Sequence, residues 1–233
     1  EFPKGWAGKK FAPRNVIHAY STPDGNQKIE DDGELPSARM KTLDDEVNGH
    51  TLKFIRTSVK QNKPFFVWHC PSRAHVWTHL SAKYEAMLGQ DGQGLQEVVM
   101  RDLDDHVGVI LDELDHLGVA DNTIVVFTAD NGPEILTWPD GGMTTFRGEK
   151  GTTWEGGVRA PMLLRWPGHV PAATVNNGIF DAMDFVPTFV AAAGGPDNLP
   201  ERLLTGYKGH KAHLDGYNQM DLITGKGESG RKE

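Results

Sequence analysis

The sequence predicts an α/β fold, a mostly parallel central sheet flanked by helices. Three observations carry this reading. Short apolar runs bounded by chain-breaking residues, Pro64–Trp68, Thr123–Thr128 and Met162–Trp166, read as buried strands. Two longer stretches, 43–61 and 95–117, repeat their apolar residues at helical spacing. The order strand, helix, strand from Phe65 to Thr128 matches a right-handed crossover between parallel strands.

Each element has a local justification. Residues 1–40 are rich in Gly, Pro and charge and read as an irregular segment, with one short strand at Asn15–Tyr20. The first helix, Leu43 to Gln61, places Leu43, Val47, Phe54, Ile55 and Val59 near one face. Thr42 is its expected N-cap, and Asp44, Asp45 and Glu46 sit in the first turn, where the helix dipole favours carboxylates. Asn62-Lys63-Pro64 stops it. The second helix carries an apolar stripe of Val99, Leu103, Val107, Ile110, Leu114 and Leu117. Asp102, Asp104, Asp105, Asp112, Glu113 and Asp115 are assigned to its solvated side, together with His106 and His116, and Gly118 to its end. A further helix is expected from Asp184, with Pro187 in its first turn and Gly194-Gly195 as its stop. The organisation is thus an irregular segment at 1–40, an α/β core at 41–195, and a polar tail or start of a small carboxyl-terminal subdomain at 196–233.

Composition bounds the function. The 233 residues carry a net charge of −8, which disfavours a nucleic-acid partner. No apolar run approaches the roughly 20 residues that span a bilayer. A single cysteine, Cys70, rules out an internal disulfide and leaves the compartment open.

The chemistry concentrates at strand ends. Thr123–Thr128 runs into Asp130-Asn131-Gly132-Pro133, which places a carboxylate and an amide where ligands gather in open α/β sheets. Both are hard oxygen donors suited to Mg²⁺ or Ca²⁺. Taken alone, Asp-Asn-Gly is more often a plain turn, because Asn and Gly tolerate positive φ. A glycine-rich loop from Gly141 to Gly157 follows, carrying Arg147 and Lys150, and its cations suit an anion. Past Trp68, His69, His75 and His79 form a second cluster. A crossover would bring His75 and Asp130-Asn131 to one sheet edge.

These residues carry a resemblance. TADNGPE followed by GGMTTFRGEKGTTWEGGVRAPMLLRWPG resembles the second conserved block of the arylsulfatases, in the alkaline phosphatase superfamily, and the likeness extends from about Phe11 to the C-terminus. It implies an alkaline phosphatase-like (sulfatase) fold, present in part, and sulfuric ester hydrolysis. It also implies a divalent metal, Ca²⁺ or Mg²⁺, on Asp130 and Asn131, and Lys150 as a sulfate contact. His75 aligns best with the family's sulfate-contacting histidine, His79 next and His69 third. Arg147 stands as a substrate-binding candidate, although Arg147 and Arg159 read more readily as braces of the glycine loop, through Glu155. The implied partner is a small-molecule sulfate ester, and the implied location is periplasmic or secreted.

The chain departs from the family pattern on the amino-terminal side of the site. Cys70-Pro71-Ser72-Arg73-Ala74 resembles the formylglycine motif superficially, but Pro stands at +1 and Arg at +3 instead of +2 and +4, so Cys70 is rejected as the nucleophile. The family's two amino-side metal aspartates have no match either. The chain therefore reads as the carboxyl-side portion of a sulfatase, with half the site. Two alternatives stay open: a phosphoesterase of the same superfamily, and a non-catalytic binding or assembly domain on this scaffold. An exposed sheet edge would offer a homo-oligomer contact.

Overall fold

The computed structural model describes residues 15–76 and 78–232. Strands β1 (Asn15–Ser21) and β2 (Gln27–Glu34) form an antiparallel hairpin, with Ala19 opposite Ile29. Then come α1 (Ser37–Met40), α2 (Leu43–Lys60), α3 (Ala82–Glu85) and α4 (Leu95–His116). Strand β3 (Val125–Thr128) precedes the glycine-rich loop, whose end carries α5 (Glu155–Val158), and β4 (Met162–Arg165) follows. Helices α6 (Phe185–Ala192), α7 (Leu199–Thr205) and α8 (Met220–Ile223) complete the order.

The fold is mixed α/β, as expected, and both long helices lie within a residue of their expected bounds. The hairpin adds a second strand to a segment the sequence leaves irregular; residues 1–14 of that segment lie outside the described residues. One strand is corrected. Among the described residues Pro64–Trp68 joins no ladder, and β3 is hydrogen-bonded to β4 instead. The run keeps the alternation of an extended chain: Phe65 and Val67 are half-buried, whereas Phe66 and Trp68 are 63% and 70% exposed. An apolar run alone does not make a strand; a neighbour must supply the ladder.

The chain divides into two compact units. The first comprises Glu1–Ala120 and Thr128–Pro161. Its core is Leu80, Tyr84, Val98 and Val99, with Ala74, Met87 and Trp138 packed against it. Val98 and Val99 are fully buried, a contribution of about 1.5–3 kcal/mol per side chain. Helices α2 and α4 pack together and are cross-linked by polar groups: Arg56 Nε donates to Glu113 Oε1 at 2.8 Å, and His106 Nε2 meets Asp45 Oδ1 at 3.0 Å. Asp140, immediately before the glycine-rich loop, accepts from Gln96 N at 3.3 Å and so covers the first turn of α4.

The second unit comprises Asp121–Phe127 and Met162–Glu233. Its centre is Asp184, fully buried at the start of α6. This carboxylate accepts from Arg231 Nη2 at 2.7 Å, Gln219 Nε2 at 2.9 Å, Tyr217 N at 2.8 Å and Asp181 N at 3.0 Å. Burial alone would raise its pKa; these donors, Arg231 foremost, overcome that and hold it at about 2. Pro187 sits in the first turn of α6 and Gly194 closes the helix at φ +74°, both as expected.

Candidate active site

The loop carrying His75 is fixed from behind by buried charge. Asp44, in the first turn of α2, accepts from Ser72 N at 2.8 Å and Arg73 N at 3.1 Å. The Arg73 guanidinium turns inward: Nε donates to Asp102 Oδ2 at 2.8 Å, and Nη1 lies 3.6 Å from Asp44 Oδ2. These side chains are only 2% (Arg73), 2% (Asp102) and 3% (Asp44) exposed. Remaining donors reach Lys41 O at 3.3 Å, His79 O at 3.2 Å and Ser72 Oγ at 3.1 Å. His106 completes the network, its Nδ1 lying 2.8 Å from Asp102 O and 3.1 Å from Asp102 Oδ1. Asp102, Glu113 and His106 are therefore buried and do not belong to the solvated side of α4, whereas Asp104, Asp105, Asp112 and Asp115 are exposed as expected. A buried carboxylate on a helix reads like a surface one until its cation is known, and that cation, Arg73, lies 29 residues upstream.

His75 projects from this braced turn. Its backbone N donates to Ser72 O at 3.1 Å, and Nδ1 lies 3.2 Å from Val76 O. An N–H on Nδ1 satisfies that carbonyl and leaves the Nε2 lone pair facing outward. Lys150 Nζ meets Nε2 at 3.2 Å, from 75 residues away.

Two close backbone approaches position Lys150. Its N donates to Pro133 O at 2.9 Å, fastening the glycine-rich loop to the turn that follows β3. Beside it, Gly132 N donates to Gly157 O at 2.9 Å. A Cβ on Gly132 would lie 1.8 Å from Gly156 O, so only glycine permits this contact. Glu149 Oε2 adds a bond from Ile135 N at 2.7 Å. Glu134, which sequence reasoning missed, accepts from Lys150 Nζ at 2.8 Å and from the Thr137 hydroxyl. These two donors, Lys150 first, hold its carboxyl below the usual range. Its place in the TADNGPE segment was the available signal.

The other candidates fall as follows. Asp130 is exposed on the turn after β3, and Asn131 is half-buried with Nδ2 donating to Gly132 O at 2.8 Å, which leaves Oδ1 uncommitted among the described residues. His79 lies behind the loop: its Nε2 is buried with no hydrogen-bond partner among the described residues. Burial first, then the charges of Lys41 and Arg73, push its pKa down. His69 is tied to α2 through Thr51 Oγ1 at 3.0 Å. Arg147 stacks on Trp154, 3.5 Å from the ring centroid, while Arg159 pairs with Glu155 at 2.9 Å and lies over Phe146. Both arginines thus brace the loop. Cys70 is an exposed free thiol two residues past the extended run.

Asp130 and Asn131 have the donor chemistry for a hard divalent cation, and the free Oδ1 of Asn131 suits it. The number of donors does not: among the described residues no group of three or more His, Cys, Asp or Glu is placed to hold an ion. A complete metal centre does not fit these residues alone.

The fold agrees with what the chain is similar to. The sulfatase family model matches residues 5–195, and the chain belongs to the sulfatase family. Human arylsulfatase A is 35% identical over 174 residues, 74% of this chain and 31% of that protein. Human N-acetylgalactosamine-6-sulfatase is 38% identical over 145 residues, 61% of this chain and 27% of that protein. Among solved structures, PsFucS1 sulfatase from Pseudoalteromonas sp. superposes with a TM-score of 0.78 at 30% identity, covering 97% of this chain and 42% of the other. The chain thus spans less than a third of the two curated relatives, and its architecture is the alkaline phosphatase-like fold of sulfatases in part.

Proposed function

We propose that this chain carries the sulfate-gripping side of a sulfuric ester hydrolase. The observation behind it is the meeting of Lys150 Nζ and His75 Nε2 at 3.2 Å, an ammonium and an imidazole from distant segments converging on one point. An ester SO₃ group entering there would displace that contact. Lys150 would donate to one sulfate oxygen as a point charge. His75, taking up a proton from solvent on Nε2 once the ammonium is displaced, would hydrogen-bond a second oxygen or pass that proton to the leaving oxygen as the S–O bond breaks. Asp130 and Asn131 are the proposed share of a divalent metal site, Ca²⁺ or Mg²⁺, whose chemistry would be to polarise sulfate oxygens; the steps above do not run through it.

The substrate is then a small-molecule sulfate ester, and export to the periplasm or beyond accords with the family. Isothermal titration with inorganic sulfate tests the reading: Lys150→Ala should weaken binding at least about fivefold, as expected for one charge-assisted hydrogen bond. Unchanged affinity would refute it. Because the donor set is partial, p-nitrophenyl sulfate turnover by the 233-residue chain should be negligible. Metal-dependent turnover lost on Lys150→Ala would overturn the half-site reading. That partial set also favours the alternative of a binding domain without turnover. Self-association through an exposed sheet edge is the remaining partner reading, and light scattering tests it.

A further inference from the structure

We propose that Glu134 is a positioning residue for Lys150, a role that deepens the sulfate-gripping reading and rests on it. A lysine side chain has four rotatable bonds and a compact charge, so it must be held to be useful. Lys150 is held twice. Its backbone N is bonded to Pro133 O at 2.9 Å, and its ammonium to Glu134 Oε2 at 2.8 Å. Pro133 and Glu134 are adjacent, so one turn grips both ends of the same residue. Glu134 is itself oriented, because its second oxygen accepts from Thr137 Oγ1. Both side chains of the pair are only about a third exposed or less, at 31% and 27%.

The geometry directs the ammonium hydrogens. One points to Glu134 and one to His75 Nε2, the contact that an incoming sulfate oxygen would displace while the Glu134 bond still holds the ammonium. Without Glu134, the Lys150 side chain is free to swing off His75, and the two groups no longer define one point. With Gln in its place, the amide oxygen still accepts from Nζ, so position is retained while the carboxylate charge is lost. The contrast between Ala and Gln therefore separates placement from charge.

The experiment is ¹⁵N NMR of the His75 ring in the full 233-residue chain, without sulfate. Lys150→Ala sets the Nε2 signal of an imidazole without its ammonium neighbour. Glu134→Ala should move Nε2 toward that position, and Glu134→Gln should leave it near wild type. A Glu134→Ala signal at the wild-type position, or a Lys150→Ala signal that does not move, overturns the proposal. Should the Ala variant melt early, Glu134→Asp serves instead: one methylene shorter, it should draw Nζ away and shift the signal part of the way, and no shift counts against the proposal. A sulfate titration runs beside it. Sulfate affinity insensitive to Lys150→Ala would remove the sulfate-gripping reading while leaving the Nε2 result on Glu134 intact.

Discussion

Replacing Asp102 with Ala tests the physical basis of the site most directly. Asp102 and Arg73 are each 2% exposed and joined at 2.8 Å. Removing one partner of a buried ion pair costs about 3–5 kcal/mol, because the other charge stays in a poorly solvated place. Arg73 keeps Asp44 at 3.6 Å and three neutral oxygens, so the lower end, about 3 kcal/mol, is expected. At about 2–4 °C per kcal/mol for a chain of this size, the melting temperature should fall by about 6–12 °C. Urea unfolding and calorimetry measure both quantities. Asp104→Ala, an exposed position on the same helix, is the control and should change stability by under about 0.5 kcal/mol. A loss below about 1 kcal/mol at Asp102, or equal losses at both positions, would refute the account of a buried charge network.

Other outcomes follow from the same geometry. Asp184 has a folded pKa of about 2 against an ordinary value of 3.8, so its stabilisation is full above pH 4 and is lost as pH falls from there toward 2. The loss is about 2 kcal/mol, readable as the pH dependence of urea midpoints, and it should vanish in Asp184→Asn. Gly132→Ala places a Cβ against Gly156 O and should cost about 2–3 kcal/mol while displacing Lys150; a thermal melt within 1 °C of wild type would contradict the close approach. Arg159→Ala removes an ion pair whose side chains are about half exposed and should cost under about 1 kcal/mol. Millimolar Ca²⁺, added or stripped with chelator, should shift the melting temperature by less than about 1 °C, since two donors do not satisfy the ion; a large shift would show a complete site.

What could be read in the sequence, and what could not, divides along a physical line. The helices at Leu43–Lys60 and Leu95–His116 were legible because periodic burial is a local signal. The resemblance singles out Lys150 and His75, and Lys150 Nζ lies 3.2 Å from His75 Nε2. The strand expected at Pro64–Trp68 pairs with no neighbour among the described residues, because ladder formation depends on a partner that composition does not reveal. Phe54, placed on the apolar face of the first helix, is half exposed, as only the packing of α4 decides which flank of α2 is covered. Arg73, Asp102 and Glu134 escaped for a related reason. Each is an ordinary charged residue until its partner is found, and the partners lie 16 or 29 residues away.

The use of buried charge behind His75 has its own logic. Apolar packing is strong and undirected; it can bury a loop without fixing which way its backbone faces. Asp44 instead accepts from two consecutive amides, Ser72 N and Arg73 N, which fixes the orientation of the turn two residues before His75. Stability is not the gain, since replacing a buried ion pair with apolar side chains of similar size is often neutral or stabilising. The double variant Arg73→Met/Asp102→Leu separates the two effects. Its melting temperature should lie well above that of Asp102→Ala and near wild type. Its sulfate affinity should nonetheless fall severalfold, because the turn that presents His75 has lost its directional anchor. Recovery of stability and of sulfate binding together would mean that packing alone places His75, and the case for a charge-built support would be lost.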